Sequence, residues 1–170
     1  NGESGLFLHT STSVRVGGDF LYGGSTGTFE VGSSTTVFDG ASGQKVDIWG
    51  QDFSTVYSEN VSLGGVTFMS SFSVVNFGVT GLSNSATVYF QGGSTINVTG
   101  NSWLNVSSGQ YIVLRSTSSG LPFEFQVVRD TPTVTYVDVR DSDASGGYQI
   151  AAINSSTPTK VTFGKLNPWA

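Results

Sequence analysis

The sequence predicts an all-β protein, and three observations carry that prediction. Apolar residues alternate with period two in short runs, and each run breaks at a Gly or a Ser/Thr cluster. Ser, Thr and Gly together make up about 40 per cent of the 170 residues, beside 21 Val and 21 aromatics, while the strong helix formers are scarce. No stretch longer than about eight residues carries a helical stripe. At 37 per cent hydrophobic residues the chain can bury a core, and its length suits a single domain, taken as residues 1–170.

The readable runs, in order, begin with LFLHTSTSVRV (6–16), DFLY (19–22), GTFEV (27–31), TTVFD (35–39) and KVDIW (45–49). The middle holds STVYS (54–58), VSLGGVTFM (61–69), SVVNFGV (73–79), ATVYF (86–90), STINVT (94–99) and SWLNVS (102–107). QYIVLRS (110–116), FEFQVV (123–128), TVTYVDVRD (133–141), YQIAAI (148–153) and KVTF (160–163) follow. Their breaks carry Gly17-Gly18, Gly23-Gly24, Gly64-Gly65, Gly92-Gly93 and Gly146-Gly147.

Two architectures compete for these strands. A β-sandwich or jelly roll joins longer strands through Asn-Gly or Asp-Gly hairpins, and here only Asn1-Gly2 and Asp39-Gly40 occur. A right-handed parallel β-helix (β-solenoid) uses very short strands, small polar turns and approximate repeats, and is favoured. Repeat boundaries fall near 26, 52, 73, 94 and 121. Each unit then offers inward residues to stack: Phe29 and Phe38, Phe53 and Phe68, Phe77 and Phe90, Ile96 and Val98, Phe123 and Phe125. Residues 1–16 read as an edge or exchanged strand, and 153–170 as an irregular C-terminal tail.

Composition excludes several classes of function. Twelve acidic and seven basic residues give a net charge of −5, so no basic nucleic-acid face is expected. The absence of cysteine removes disulfides, thiolate metal sites and thiol nucleophiles. His9 is the sole histidine, so it is read as a hydrogen-bonded or exposed side chain and not as a ligand. No apolar run reaches the ~20 residues of a membrane-spanning helix. The opening Asn-Gly-Glu-Ser has no basic or apolar leader character, so a secretory signal would already have been removed.

The C-terminal third carries a resemblance. TVTYVDVRDSDASGGYQIAA (133–152), with its core VTYVDVRDSDASGG (134–147), follows GQYIVLRSTSSG (109–120) and STINVTGNSWLNVSSG (94–109). These stretches resemble degenerate β-helical segments of large secreted and cell-surface bacterial proteins. The resemblance covers roughly residues 94–152, about a third of the chain. It implies an extracellular β-solenoid with an adhesive or scaffolding role, and no chemistry.

Few residue groupings suggest chemistry. Asp138, Asp141, Asp143 and Ser145 are a candidate calcium set, because Asp141-Ser-Asp143-Ala-Ser145-Gly146 matches the first half of an oxygen-ligand loop. The twelfth loop position is Ala152, not Glu, so the favoured reading is a turn held by Asp and Ser side chains, with Gly146 and Gly147 supplying positive φ. Asp39, Asp47 and Asp52 with Lys45, and Arg129, Asp130, Arg140 and Asp141, are the charge groupings a carbohydrate-cleaving β-helix would need. Alternation points Asp47 outward between Val46 and Ile48, which favours solvated charges. Four sequons, at Asn60, Asn97, Asn105 and Asn154, are candidate glycan sites. Thr131, Thr133 and Thr135 form one threonine row without a recurrence, too little for an ice-binding face.

The resulting expectation is a secreted or cell-surface structural protein, not an enzyme, and without a cofactor unless calcium. It would be a filament subunit or adhesin module whose partner is itself, joined head to tail through open solenoid ends. The alternative is a carbohydrate-binding or carbohydrate-cleaving β-helix with a surface polysaccharide as partner. Its mark would be a solvent-facing row of Tyr22, Tyr57, Tyr89 and Tyr111, whose spacing is uneven.

Overall fold

In a computed structural model of the chain, the described residues are 13–22, 32–80, 82–129, 132–148, 150–153 and 155. They form sixteen strands. The first eight are β1 (Ser13–Val16), β2 (Phe20–Leu21), β3 (Thr35–Phe38), β4 (Gln44–Asp47), β5 (Phe53–Ser58), β6 (Val66–Phe68), β7 (Phe72–Val79) and β8 (Ala86–Phe90). The rest are β9 (Thr95–Val98), β10 (Ser102–Leu104), β11 (Ile112–Ser116), β12 (Phe123–Val127), β13 (Thr133–Thr135), β14 (Val137–Arg140), β15 (Ser142–Asp143) and β16 (Ala151–Ile153).

Strands pair in parallel with their equivalents in neighbouring coils, so the architecture is a β-solenoid of about five turns, with no helix among the described residues. Thr35 faces Thr55 and Thr55 faces Asn76 on one side, while Val66 faces Val88 and Val88 faces Leu114 on another. Three faces result. The first holds β9, β12 and β15 with the leading halves of β5 and β7. The second holds β1, β3, the trailing halves of β5 and β7, and β10, and continues through the Asn105–Thr135 bridge to β13 and β16. The third runs β2-β4-β6-β8-β11-β14.

β5 and β7 turn the corner between the first two faces without interruption. In β7, Val74 and Phe77 are both buried, while Val75 is exposed and Asn76 half-buried between them. Two consecutive outward residues break the alternation and bend the chain. Coils begin at Phe53, Phe72, Thr95 and Phe123, within two residues of the repeat boundaries that the sequence predicts at 52, 73, 94 and 121, and the boundary near 26 lies outside the described residues.

Inward positions stack into columns along the axis. Val46, Phe68 and Phe90 are register partners, as are Val79 and Leu104. The Phe68 and Phe90 rings stack with centroids 5.6 Å apart, and Phe90 lies 4.7 Å from Phe123. Such pairs contribute about 0.5–1.5 kcal/mol each beyond the burial of their area. Asp47 does point outward, between Val46 and Ile48, each 1% exposed.

The corner between the second and third faces is held by buried amides. Gln44 donates to the carbonyls of Val16 and Gly18 at 2.7 and 2.8 Å and accepts from the Gly40 amide at 2.8 Å. Asn60 donates through Nδ2 to Ser42 O, Gln44 Oε1 and Gly65 O, and its Oδ1 accepts from the Ser62 amide. Two amide side chains therefore tie three successive coils where the backbone leaves its ladder. Gly65 closes this corner with φ of 56°, and a Cβ there would lie 2.0 Å from Thr87 O.

The terminal segments differ from expectation in part. Ser13–Val16 pairs with β3 of its own chain, while residues 1–12 lie outside the described residues. Ile153, placed by the sequence in an irregular tail, belongs to β16 and pairs with Thr135. Ser155 Oγ accepts from the Val137 amide, and residues 156–170 lie outside the described residues. At the last coils Val137, Val139, Ala144 and Ile150 are fully enclosed, whereas Val14, Val16 and Phe20 at the first are only partly buried.

Candidate functional site

The outer surface of the second face is the most differentiated part of the molecule. Residues that alternate with the buried Val56, Phe77 and Leu104 point away from the core. Register therefore aligns Arg15, Val37, Tyr57, Gly78 and Trp103 in one column on the outer side of the strands, within which Val37 is buried at 4% exposure. Gly78 has no side chain, and the two aromatic neighbours close over it. A Cβ at Gly78 would sit 2.9 Å from the Tyr57 ring and 3.4 Å from Trp103 Cβ. The Tyr57 and Trp103 rings lie 5.9 Å apart at 37°, forming a shelf on which Trp103 is 37% exposed.

Polar groups border the shelf on both sides. Towards the first face, Asn76 donates to Thr55 Oγ1 at 3.1 Å, and Asn101 donates to Asn76 Oδ1 through its backbone and side-chain nitrogens. Towards the third face, Asp39, Glu59, Thr80 and Asn105 follow one another from coil to coil, since each succeeds a residue of the column containing Phe38, Ser58, Val79 and Leu104. Arg15 donates to Asp39 Oδ2 at 2.7 Å and to Glu59 Oε2. The Glu59 hydrogen bond, then the Asp39 one, push its guanidinium further above its ordinary pKa. Two residues beyond Trp103, at Asn105, the surface opens into a groove of about 440 Å³ lined by Thr80, Leu82, Asn105, Val106, Ser107 and Gln110.

The residues of the candidate calcium turn do not converge. Asp138 lies on the third face, where its Oδ2 accepts from Arg115 Nη2 and its carbonyl from Arg115 Nη1. Asp143 lies on the first face, where its Oδ1 accepts from the Ser145 amide at 2.8 Å. Asp141 occupies the corner between them, with φ of 51°, and Ser145 is exposed. Among the described residues no three His, Cys, Asp or Glu side chains are grouped as a metal would need. The hydrogen-bonded turn is present, but its glycines serve another purpose than expected. Neither Gly146 nor Gly147 is left-handed; a Cβ on them would strike the Gln126 side chain at 2.5 Å and the Val127 amide nitrogen at 2.6 Å. Close approach to the previous coil is what requires glycine there.

The other singled-out residues separate as well. Asp39 is paired with Arg15 at the corner between the second and third faces, whereas Asp47 caps the Trp49 amide and Asp52 accepts from the Ser73 amide at the two ends of the corner between the third and first faces. Arg140 and Asp141 are adjacent on the third face and its edge, and Arg129 is exposed; Asp130 and Thr131 lie outside the described residues, as do His9, Phe29 and Asn154. Tyr57 is on the second face and Tyr89 on the third, and Tyr111 packs edge-on against Tyr136 at 6.1 Å, so the four tyrosines form no row. Among the sequons, Asn105 is exposed and Asn97 half-buried. Asn60 is fully buried, and the Nδ2 that would carry a glycan is enclosed by its three carbonyl partners. The folded protein has no room for a glycan at that position.

Trp103 is the residue that sequence reading passed over. It sits between Ser102 and Leu104 in an alternating run, and the signal was Gly78 inside SVVNFGV, since a glycine within a strand marks close approach by another group. Fold and surface together define a parallel β-solenoid with a tightly packed interior and one aromatic outer face. Comparison with protein-family models, curated proteins and solved structures finds no match.

Proposed function

We propose that this chain is an extracellular structural β-solenoid, a filament subunit or surface adhesin module that joins copies of itself end to end. The observation that carries the proposal is the pairing at the two ends of the coil stack. Among the described residues, β1 has a ladder partner on one side only, and so do β14, β15 and β16. A strand paired on one side only can be extended in the same parallel sense that the interior ladders use. Val14 and Val16, only partly buried, add apolar surface to the β1 end. A second copy stacking its β14–β16 edge on this end would continue the ladder, and repetition without closure gives a fibre. Charge at 11 per cent of residues offers little repulsion against it. No described helix is long and apolar enough to cross a membrane.

Sedimentation at rising concentration, with negative-stain electron microscopy, tests this reading. Mass that grows with concentration, and rods one solenoid wide, are expected. Deletion of residues 1–16, which removes β1, abolishes the growth while circular dichroism stays β-rich. A folded chain that remains monomeric at every concentration overturns the proposal.

A further inference from the structure

We propose that the Tyr57–Gly78–Trp103 shelf and the groove beside it bind a neutral oligosaccharide. Three independent features meet here. First, two aromatic rings are held side by side on the outer surface because a glycine separates them, and Trp103 stays accessible. A large apolar ring is ordinarily turned inward, so a paired platform on the outward side of a strand is out of keeping with packing alone. The apolar face of a pyranose is flat and complementary to such a platform.

Second, hydrogen-bonding groups suited to sugar hydroxyls stand on both margins. Asn76 and Asn101 border one side, and Thr80 and Asn105 the other. Asn105, the bridge residue directly after β10, lies two residues beyond Trp103, and both are exposed on the outer side. Thr135 Oγ1 donates to Asn105 Oδ1 at 3.3 Å, which orients the amide at the edge of the groove. Recognition by an apolar surface plus a few placed polar groups is the usual composition of a small-molecule site. Tyr57 and Trp103 lie two coil steps apart, about 9–10 Å of backbone, so a glycan running along the solenoid axis meets both rings in turn.

Third, charge selects the class of sugar. The cation of the column, Arg15, already faces two carboxylates, Asp39 and Glu59, which leaves this margin net negative on a chain of charge −5. An acidic glycan would meet repulsion and no available counter-charge on the shelf. A neutral chain meets carboxylate acceptors for its hydroxyls. This inference does not rest on end-to-end assembly, since the shelf faces sideways from the coil stack.

The test is titration of the full chain with cellohexaose, mannohexaose, laminarihexaose and chitohexaose, followed by calorimetry and tryptophan fluorescence, with a galacturonate hexamer as the acidic comparison. Binding of at least one neutral hexamer is expected, and Trp103→Ala weakens it about tenfold or more. Trp49→Ala, on another corner, leaves it unchanged. Trp103→Phe retains most of the affinity, and Trp103→Leu keeps apolar volume but loses the platform, so the Phe–Leu pair decides the matter where the alanine variant fails to fold. Tyr57→Leu weakens binding in the same sense. No binding of any neutral hexamer by folded protein at about 10 mM overturns the proposal. So does binding of the galacturonate hexamer alone, or undiminished affinity in folded Trp103→Leu. Loss of self-association in Trp103→Leu with no sugar bound by the parent chain also overturns it, and assigns the shelf to protein contact.

Discussion

Replacing Asn60 by Asp changes one nitrogen to oxygen at a fully buried polar position of the solenoid. The Asn60 amide nitrogen donates to Ser42 O at 2.8 Å, Gln44 Oε1 at 2.9 Å and Gly65 O at 3.4 Å, and the residue is fully buried. In Asn60→Asp a carboxylate oxygen faces these three acceptors. Ionised, it is repelled by all of them and desolvated, so the folded state raises its pKa above the unfolded value near 3.9. Below that pH both states hold the proton, one O–H donor remains, and the loss is that of a single hydrogen bond, about 1 kcal/mol. As pH rises, the unfolded chain ionises first, and stability falls until the folded pKa is passed. A rise of two units adds about 2.7 kcal/mol of loss by pH 7. The expected deficit against the parent chain is therefore roughly 4 kcal/mol at pH 7 and about 1.5 kcal/mol at pH 4. Paired urea denaturation of parent and variant at the two pH values measures it. Equal deficits at both, or a pH 7 deficit under about 0.5 kcal/mol, would refute the buried amide clamp.

Two further outcomes follow from the corners. Gly65→Ala combines a left-handed φ of 56° with a Cβ 2.0 Å from Thr87 O, so a loss of roughly 3–5 kcal/mol is expected in the same denaturation assay; a loss below about 1 kcal/mol would mean the corner yields freely. Chelation with EDTA, followed by excess calcium, should leave the melting temperature unchanged, because Asp138 and Asp143 are engaged on different faces by Arg115 and the Ser145 amide; a calcium-dependent rise in melting temperature would show that the turn rearranges around an ion.

The sequence by itself determined the class of structure and much of its frame. Period-two alternation and the near absence of hairpin dipeptides exclude helices and disfavour antiparallel sheets, and the unit boundaries at 52, 73, 94 and 121 coincide closely with coil starts. These properties are local: each strand's inward and outward residues are assigned by its own alternation, as Asp47 between Val46 and Ile48 illustrates. What lies beside what across coils was not legible, because the steps are unequal, with Thr35 facing Thr55 but Thr95 facing Glu124. Unequal steps separate residues close in sequence, such as Asp138 and Asp143, by turning the chain onto another face. They also bring together residues far apart, as Tyr57 and Trp103 meet across Gly78. Only the tertiary structure decided that Asn60 is a buried clamp while Asn105 is exposed, because each sequon reads alike along the chain and the difference comes from which carbonyls the neighbouring coil places within reach.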